Sequence, residues 1–235
     1  MFDLSLEGGA ARLILNRPEA RNAIPADAWR GLGDTARAAA AAGAGLLVVE
    51  GAGSAFCAGA DLSDFAAMRG APERVAEFRL AMREGLDALA ALPIPTIARV
   101  EGPCFGAGVA LALACDLRLA GPAASFAITP AKLGISYPQE DVHRLVALVG
   151  PGQASRLLLT ALPVGAAEAH RIGLAELCME DMEAELARLC AAILAGHRES
   201  HASLKRAVAL AARGVVADPE QDRAFDALIV SETEG

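Results

Sequence analysis

The chain has 235 residues, of which 54% are hydrophobic and 21% are charged. This composition excludes an intrinsically disordered polypeptide and is sufficient for one large domain with a substantial core. The net charge of -8 excludes a basic surface that would attract nucleic acid phosphates or anionic lipid.

The cysteines and the N-terminal sequence indicate in which cellular compartment the protein is located. The five cysteines, Cys57, Cys104, Cys115, Cys178 and Cys190, are odd in number and lie in apolar surroundings, which favours reduced thiols over a disulfide framework. The N-terminus shows no basic segment followed by an apolar one, and no apolar run approaches the roughly 18 residues of a membrane span. We therefore expect a cytoplasmic protein without a membrane partner.

Short apolar runs and longer helix-forming runs alternate through the first half of the chain. The predicted elements are strands at 11–16 and 45–51 with a helix at 25–43 between them, a helix at 73–92, and strands at 95–102, 115–121 and 125–129. This alternation indicates an α/β fold.

The second half is almost wholly helical by pattern. Helices are predicted at 139–149, 151–160, 165–172, 180–196, 199–213 and 217–231. The pattern changes from alternating strands and helices to helices alone near 134–151, and no segment there has the composition of a linker. We therefore expect one α/β core over 1–195 and a C-terminal helical region over 196–235.

The segment "GAGSAF" (51–56) follows a predicted strand, and a dinucleotide-binding turn is one interpretation of it. Phe56 occupies the position of the third glycine, however, and "CAGAD" delays the start of any helix. Both features disfavour a nucleotide fingerprint.

Two segments share a different feature. "FCAGADL" (56–62) and "GPCFGAGVALALACDL" (102–117) each place small residues where a strand ends and a helix begins. Such residues leave backbone N–H groups accessible, so the pair could form an oxyanion hole; close packing alone is the other explanation.

Four motifs together resemble the crotonase superfamily, the enoyl-CoA hydratases and isomerases. They are "LNRPEARNAI" (15–24), "AFCAGADL" (55–62), "EGPCFGAGVALALACDLRLA" (101–120) and "FAITPAKLGIS" (126–136). The resemblance implies a spiral of β-β-α turns and a helical C-terminal region that packs subunits into trimers, or into hexamers as pairs of trimers. It also implies an acyl-CoA thioester as ligand, with coenzyme A as part of the substrate and no permanently bound cofactor.

The resemblance also assigns roles to individual residues. The N–H groups of Ala60 and Ala107 would hold the thioester oxygen, and Arg21 would lie near the nucleotide end of CoA. The residues implied to line the CoA channel are Ala58, Ala60, Asp61, Leu62 and Ser63. Ser63 stands where the family has a lysine, so phosphate contacts would fall mainly to arginines.

The chain departs from the family at the two hydratase glutamates. The motifs align them with Ala110 and Pro130, which cannot transfer protons. We therefore expect a poor hydratase unless acids reach the site from elsewhere. The candidates are Tyr137, Glu140, Asp141 and His143, although Glu140 and Asp141 also suit an ordinary helix start and His143 suits a structural role.

Residues 126–145 partly resemble methylmalonyl-CoA decarboxylase, a crotonase relative in which a tyrosine at this place contacts the carboxylate of the thioester. Tyr137 is the only tyrosine of the chain, and a buried packing residue with a hydrogen-bonded hydroxyl is the other interpretation of it. The sequence thus favours a lyase that acts through an enolate, with decarboxylation more compatible than hydration. An isomerase or thioester hydrolase using Glu140 or Asp141, and a protein that binds acyl-CoA without turnover, are the alternatives.

The remaining histidines do not predict a metal site. His197 and His201 are four residues apart on a predicted helix, but no third ligand is nearby, and His170 is isolated. At the other end, "PEQDRAFDALIVSETEG" (219–235) resembles the penultimate helix of the family, so we expect a shortened C-terminal region.

Overall fold

The structure is a computed structural model that describes residues 1–230. The strands are β1 (Phe2–Glu7), β2 (Ala10–Leu15), β3 (Leu46–Gly51), β4 (Thr96–Val100), β5 (Pro103–Phe105), β6 (Leu117–Ala120), β7 (Ser125–Ala127), β8 (Val164–Gly165) and β9 (Leu177–Cys178). The helices are α1 (Trp29–Ala41), α2 (Leu62–Met68), α3 (Pro72–Ala90), α4 (Ala107–Leu113), α5 (Pro130–Leu133), α6 (Gln139–Thr160), α7 (Ala166–Arg171), α8 (Met182–Leu194), α9 (Arg198–Ala211) and α10 (Pro219–Val230).

The strands form two sheets. The larger sheet has the order β1-β2-β3-β4-β6-β9, with β1 antiparallel to β2 and every later pair parallel. The smaller sheet has the order β5-β7-β8, in which β5 and β7 are parallel and β8 is antiparallel. Central strands such as β3 are buried along almost their whole length, as parallel strands covered on both faces require.

The chain passes between the two sheets in a repeated order. β4 of the larger sheet is followed by β5 of the smaller sheet and by α4, and β6 is followed by β7 and α5. After β3 an isolated parallel pairing of Cys57 with Cys104 takes the place of the smaller-sheet strand. These β-β-α turns confirm the predicted α/β spiral.

A layer of helices closes the core on one side. α1 packs against α3, and Trp29 at the start of α1 is fully buried. A Cβ atom on Gly85 of α3 would lie 2.1 Å from the Trp29 carbonyl oxygen, so only glycine permits this approach. Trp29 is therefore a core residue, as one would expect from its place on an amphipathic helix.

The predicted element boundaries differ from the structure in a few places. β1 was not predicted, although Phe2, Leu4 and Leu6 alternate with polar residues, and five of its six residues are exposed. The two-residue strands β8 and β9 interrupt the predicted all-helical half. The predicted helices at 139–149 and 151–160 agree with the structure, since the two helical parts of α6 are separated at Gly150, where φ is 72° and ψ is 164°.

The C-terminal helices contact the core mainly through polar groups. The Lys205 ammonium lies 2.8 Å from Asp116 Oδ2 and donates to the Ile94 carbonyl at 3.0 Å. Arg198 donates to the carbonyls of Gly43 and Ala44 at the end of α1. Residues 231–235, which hold the "SETEG" end of the family-like segment and the last residue of the helix predicted at 217–231, lie outside the described residues.

Within residues 1–230, no helix combines the length and the apolar character needed to cross a membrane.

Candidate active site

The two small-residue segments meet side by side, where the turn after β3 crosses the turn after β5. Phe105 N donates to the Cys57 carbonyl at 2.9 Å, and Cys57 N donates to the Pro103 carbonyl at 3.1 Å. A Cβ atom on Gly59 would lie 2.8 Å from the Phe105 oxygen and 3.2 Å from the Ala107 nitrogen. A Cβ atom on Gly108 would lie 2.2 Å from the Cys57 oxygen. The glycines therefore set how closely these two turns approach.

The amides of Ala60 and Ala107 differ from those of their neighbours. Asp61 N donates to the Ile24 carbonyl at 3.0 Å, and Gly106 N donates to the Ala127 carbonyl at 2.8 Å. Among the described residues none accepts a hydrogen bond from the Ala60 or Ala107 N–H. Both residues are partly exposed. Two adjacent turns thus each carry an accessible N–H without a protein partner.

Gly106 gives the second turn its shape. Its φ of 52° and ψ of -118° are accessible to glycine at little cost, and the next residue begins α4. The Gly106 carbonyl accepts from the Val109 N–H at 3.0 Å, from the Ala110 N–H at 3.4 Å and from the Tyr137 hydroxyl at 3.0 Å. The peptide between Gly106 and Ala107 is therefore held at its oxygen and free at its nitrogen.

Tyr137 lies against this turn with its ring half-buried in the core cluster. Burial raises the pKa of its hydroxyl well above the ordinary value, and the nearby Asp141 carboxylate raises it further. The phenol therefore stays protonated at neutral pH. Because it has a single hydrogen, which it donates to Gly106, a contact with a substrate carboxylate as predicted would require that bond to break.

The two positions predicted to replace the hydratase glutamates are both apolar and buried. Ala110 is fully buried on the first turn of α4, and Pro130 is the buried first residue of α5. Thr129, directly before Pro130, places its Oγ1 3.4 Å from the Cβ position of Gly106, so α5 starts close to the same turn. The side chains of Ala110 and Pro130 cannot hold or move a proton.

The predicted acids downstream occupy different environments. Glu140 and His143 are exposed on α6. Asp141 is fully buried, and its Oδ1 accepts from Arg83 at 2.9 Å and lies 3.3 Å from Arg144 Nη1. Burial raises the pKa of Asp141, opposed by the two arginines. Its Oδ2 is buried without a hydrogen-bond partner among the described residues.

The residues predicted to line the CoA channel follow one another at the rim of the first turn. Arg21 is exposed, and its carbonyl accepts from Ala58 N at 2.9 Å. Leu62 is 56% exposed at the start of α2. Asp61 caps α2 and accepts from Ser63, and the hydrogen bond from Arg17 holds the pKa of Asp61 at about 2. Asp61 is therefore a fixed carboxylate rather than a free acid.

Asn22 supports this rim, and sequence reasoning did not single it out. Its side chain is fully buried; Nδ2 donates to the Ala52 and Ala55 carbonyls at 2.9 and 2.7 Å, and Oδ1 accepts from Arg17 N. Its φ is 59°, in the left-handed region that asparagine tolerates better than most residues. An asparagine between two turn segments was the available signal.

The thiols and histidines do not form a second centre. All five cysteines are free, and burial raises the pKa of Cys57, next to the first turn, to about 12, which leaves that thiol protonated. In the part of the chain that the structure describes, no group of three or more potential ligand side chains could hold a metal ion.

Comparison with known proteins relates this geometry to a family. The sequence model of the family described as Enoyl-CoA hydratase/isomerase matches residues 6–233. The probable enoyl-CoA hydratase echA6 of Mycobacterium tuberculosis is 38% identical over 175 residues, which cover 74% of this chain and 69% of that protein.

Solved structures show the same fold. A provisionally assigned enoyl-CoA hydratase/isomerase family protein from Hyphomonas neptunium superposes with a TM-score of 0.92 at 35% identity, covering 98% of this chain and 90% of that one. A provisionally assigned enoyl-CoA hydratase from Thermobifida fusca, solved in complex with acetoacetyl-CoA, superposes with a TM-score of 0.83 at 28% identity, covering 97% and 93% of the two chains.

Proposed function

We propose the following function for this chain, which belongs to the enoyl-CoA hydratase/isomerase family: it binds an acyl-CoA thioester and stabilises the enolate of that thioester with two backbone N–H groups. The observation that carries the proposal is the pair of unpartnered amides at Ala60 and Ala107 on two contacting turns. The acetoacetyl-CoA complex of the Thermobifida fusca relative supports the ligand class.

The physical reason is the charge that collects on the thioester oxygen when an enolate forms. Two fixed donors aimed at that oxygen stabilise the charge without reorganising, and each is worth about 2.7 to 4 kcal/mol in comparable sites. Only main-chain groups are needed, so the small size of Ala60 and Ala107 matters more than their side-chain chemistry. The rim formed by Arg21, Ala58 and Leu62 is then the proposed path of the CoA moiety.

We propose a lyase-type reaction, the decarboxylation of a malonyl-type thioester. The bond between carbon 2 and the carboxylate breaks, carbon dioxide leaves, and the electron pair enters the enolate, which then takes a proton at carbon 2. No base is required, which suits the apolar Ala110 and Pro130. The dry surroundings of these two residues also favour loss of the charged carboxylate.

The first prediction concerns substrate choice. We expect the protein to release carbon dioxide from malonyl-CoA or methylmalonyl-CoA and to hydrate crotonyl-CoA at a rate at least about 100-fold lower, because a general acid and base each contribute about that factor. A coupled assay of carbon dioxide release measures the decarboxylation rate, and the absorbance of the enoyl thioester measures the hydration rate. Brisk hydration of crotonyl-CoA that survives Tyr137→Phe would contradict the lyase assignment, and tight binding without any turnover would leave a non-catalytic acyl-CoA-binding protein.

The alternative is a double-bond isomerase or thioester hydrolase, and one observation favours it. Asp141 keeps a buried oxygen without a partner, as a proton-accepting carboxylate would. In that case Asp141→Asn should abolish exchange of the carbon 2 proton of a bound acyl-CoA with solvent deuterium, followed by NMR. Glu140→Gln is the matched control, since Glu140 is adjacent but exposed.

We also propose that the chain forms a homotrimer, or a hexamer as a pair of trimers. Neither α9 nor α10 buries a residue against its own chain, although both carry large apolar side chains. The most exposed are Leu204, Val208, Phe225, Ile229 and Val230. Sedimentation velocity should give three or six times the mass of one chain, and a monomer at micromolar concentration would contradict this.

A further inference from the structure

The peptide group that joins Gly106 to Ala107 has hydrogen-bonding groups at both ends with different surroundings. At one end, the Gly106 carbonyl accepts from the Tyr137 hydroxyl at 3.0 Å, from the Val109 N–H at 3.0 Å and from the Ala110 N–H at 3.4 Å. At the other end, the Ala107 N–H has no partner among the described residues. The hydroxyl contact is therefore made to the same peptide plane that presents the proposed oxyanion donor.

A hydrogen bond to a carbonyl oxygen changes the donor strength of the N–H on the same peptide. It draws electron density toward the oxygen, leaves the N–H more positive, and strengthens the bond that this N–H makes, by about 10–30% per bond in condensed-phase estimates. The effect is larger in a low-dielectric interior. The Gly106 carbonyl receives three such bonds, from the Val109 N–H, the Ala110 N–H and the Tyr137 hydroxyl, and the last of these comes from a side chain outside α4.

The same hydroxyl adds to the restraint on the direction of the N–H. The Val109 and Ala110 N–H groups already bond the Gly106 carbonyl from within α4, and Tyr137 adds a bond from outside this helix. A tether at the carbonyl oxygen restrains that plane and hence the Ala107 N–H at its other end. The positions of α4 and of the Tyr137 ring then determine where the donor points.

Tyr137 is itself held rigidly. It directly precedes Pro138, which begins α6, and Asp141 on the first turn of α6 accepts from Arg83 of α3 at 2.9 Å. Arg144 completes the connection by bonding Asp87 of α3 at 2.8 Å. This four-residue charge ring ties the start of α6 to α3. The raised pKa of Tyr137 keeps its hydroxyl a donor throughout the neutral range.

We infer that Tyr137 is a positioning residue for the oxyanion hole, whose hydroxyl orients and polarises the Gly106–Ala107 peptide so that the Ala107 N–H becomes a stronger donor to the thioester oxygen. Tyr137 acts through the backbone and does not need to contact the substrate. The inference rests on the proposed function, because it presupposes that the Ala107 N–H binds the thioester oxygen.

The test measures polarisation of the bound carbonyl directly. Hexanoyl-CoA labelled with carbon-13 in its thioester carbonyl has no carboxylate to lose, and its C=O stretch is read by isotope-edited difference infrared spectroscopy. We expect the stretch to fall on binding to the wild-type protein and to recover part of that shift in Tyr137→Phe. In Tyr137→Phe the dissociation constant of CoA itself should not change. The kcat/KM of the proposed decarboxylation of malonyl-CoA should drop about fivefold, which is the scale of one hydrogen bond.

A matched control removes a different hydroxyl near the same glycine. Thr129 Oγ1 lies 3.4 Å from the Cβ position of Gly106 but does not bond its carbonyl, so Thr129→Val should leave the stretch in place. A second measurement avoids deleting any group. Because Tyr137 is the only tyrosine, growth on 3,5-difluorotyrosine alters this site alone, and the more acidic phenol should increase the shift at pH 6.

The outcomes separate the two levels of the proposal. If the wild-type protein does not shift the stretch, the amides do not polarise the carbonyl and the proposed function fails. If the wild-type shift is present but neither Tyr137→Phe nor the fluorinated protein changes it, the positioning role is overturned while the proposed function stands. Loss of the shift together with weaker CoA binding, and no response to fluorination, would reduce Tyr137 to a packing residue.

Discussion

Ala107→Pro is expected to lower kcat/KM for the proposed decarboxylation of malonyl-CoA by about 100- to 1000-fold while the protein stays folded. The substitution removes one hydrogen, the N–H proposed to hold the thioester oxygen, and the loss of a single oxyanion donor costs this much in comparable enzymes. Ala107 is the first residue of α4, where a helix tolerates proline because its N–H has no helical acceptor. The substitution should therefore remove a hydrogen-bond donor from the site without disrupting α4.

The measurement combines steady-state kinetics with urea unfolding and CoA binding. Ala166→Pro is the matched control, because Ala166 is also a first helical residue that follows a glycine, Gly165 at the start of α7. It should reproduce any general cost of the proline without the loss of activity. If Ala107→Pro retained wild-type kcat/KM at unchanged stability, the Ala107 N–H would have no role in the reaction.

Much of the fold could be predicted because its apolar patterning is strong. The buried runs of β3 and β4 and the glycine–proline pair at 150–151 mark elements that the structure confirms. β1 was missed although Phe2, Leu4 and Leu6 alternate with polar residues, because so short an alternation on an exposed edge strand is a weak signal without its ladder to β2. Local pattern also cannot show that Cys57 pairs with Cys104, because that contact exists only once the turns cross.

The candidate site was likewise predictable from the sequence only in part. The small residues at both turns were visible because each follows a strand, and the geometry brings Gly59 and Ala107 together. The partners of Tyr137 and Asp141 were not visible. Arg83 lies on α3, far from Asp141 in sequence, and a carboxylate in a first helical turn has the same pattern whether it faces solvent or an arginine.

Gly59→Ala should be nearly as damaging as loss of the Ala107 N–H, for two separable reasons. First, φ is 103° at Gly59, which costs about 1–3 kcal/mol for a residue with a side chain. Second, the new Cβ atom would lie 2.8 Å from the Phe105 oxygen and 3.2 Å from the Ala107 nitrogen, so the two turns must separate. Donors that must converge on one oxygen cannot tolerate such a shift, and displacement by about 1 Å can cost 100-fold in rate.

Gly70→Ala isolates the first cost from the second. Gly70 also has a positive φ, 71°, but a Cβ atom there would meet nothing within 4 Å. Both variants should lower the urea midpoint, and only Gly59→Ala should lower kcat/KM, by about 100-fold. Equal kcat/KM in the two variants would mean that the spacing of the turns does not control the reaction. A loss in Gly59→Ala alone would show that the distance between the turn after β3 and the start of α4 determines how well the thioester oxygen is held.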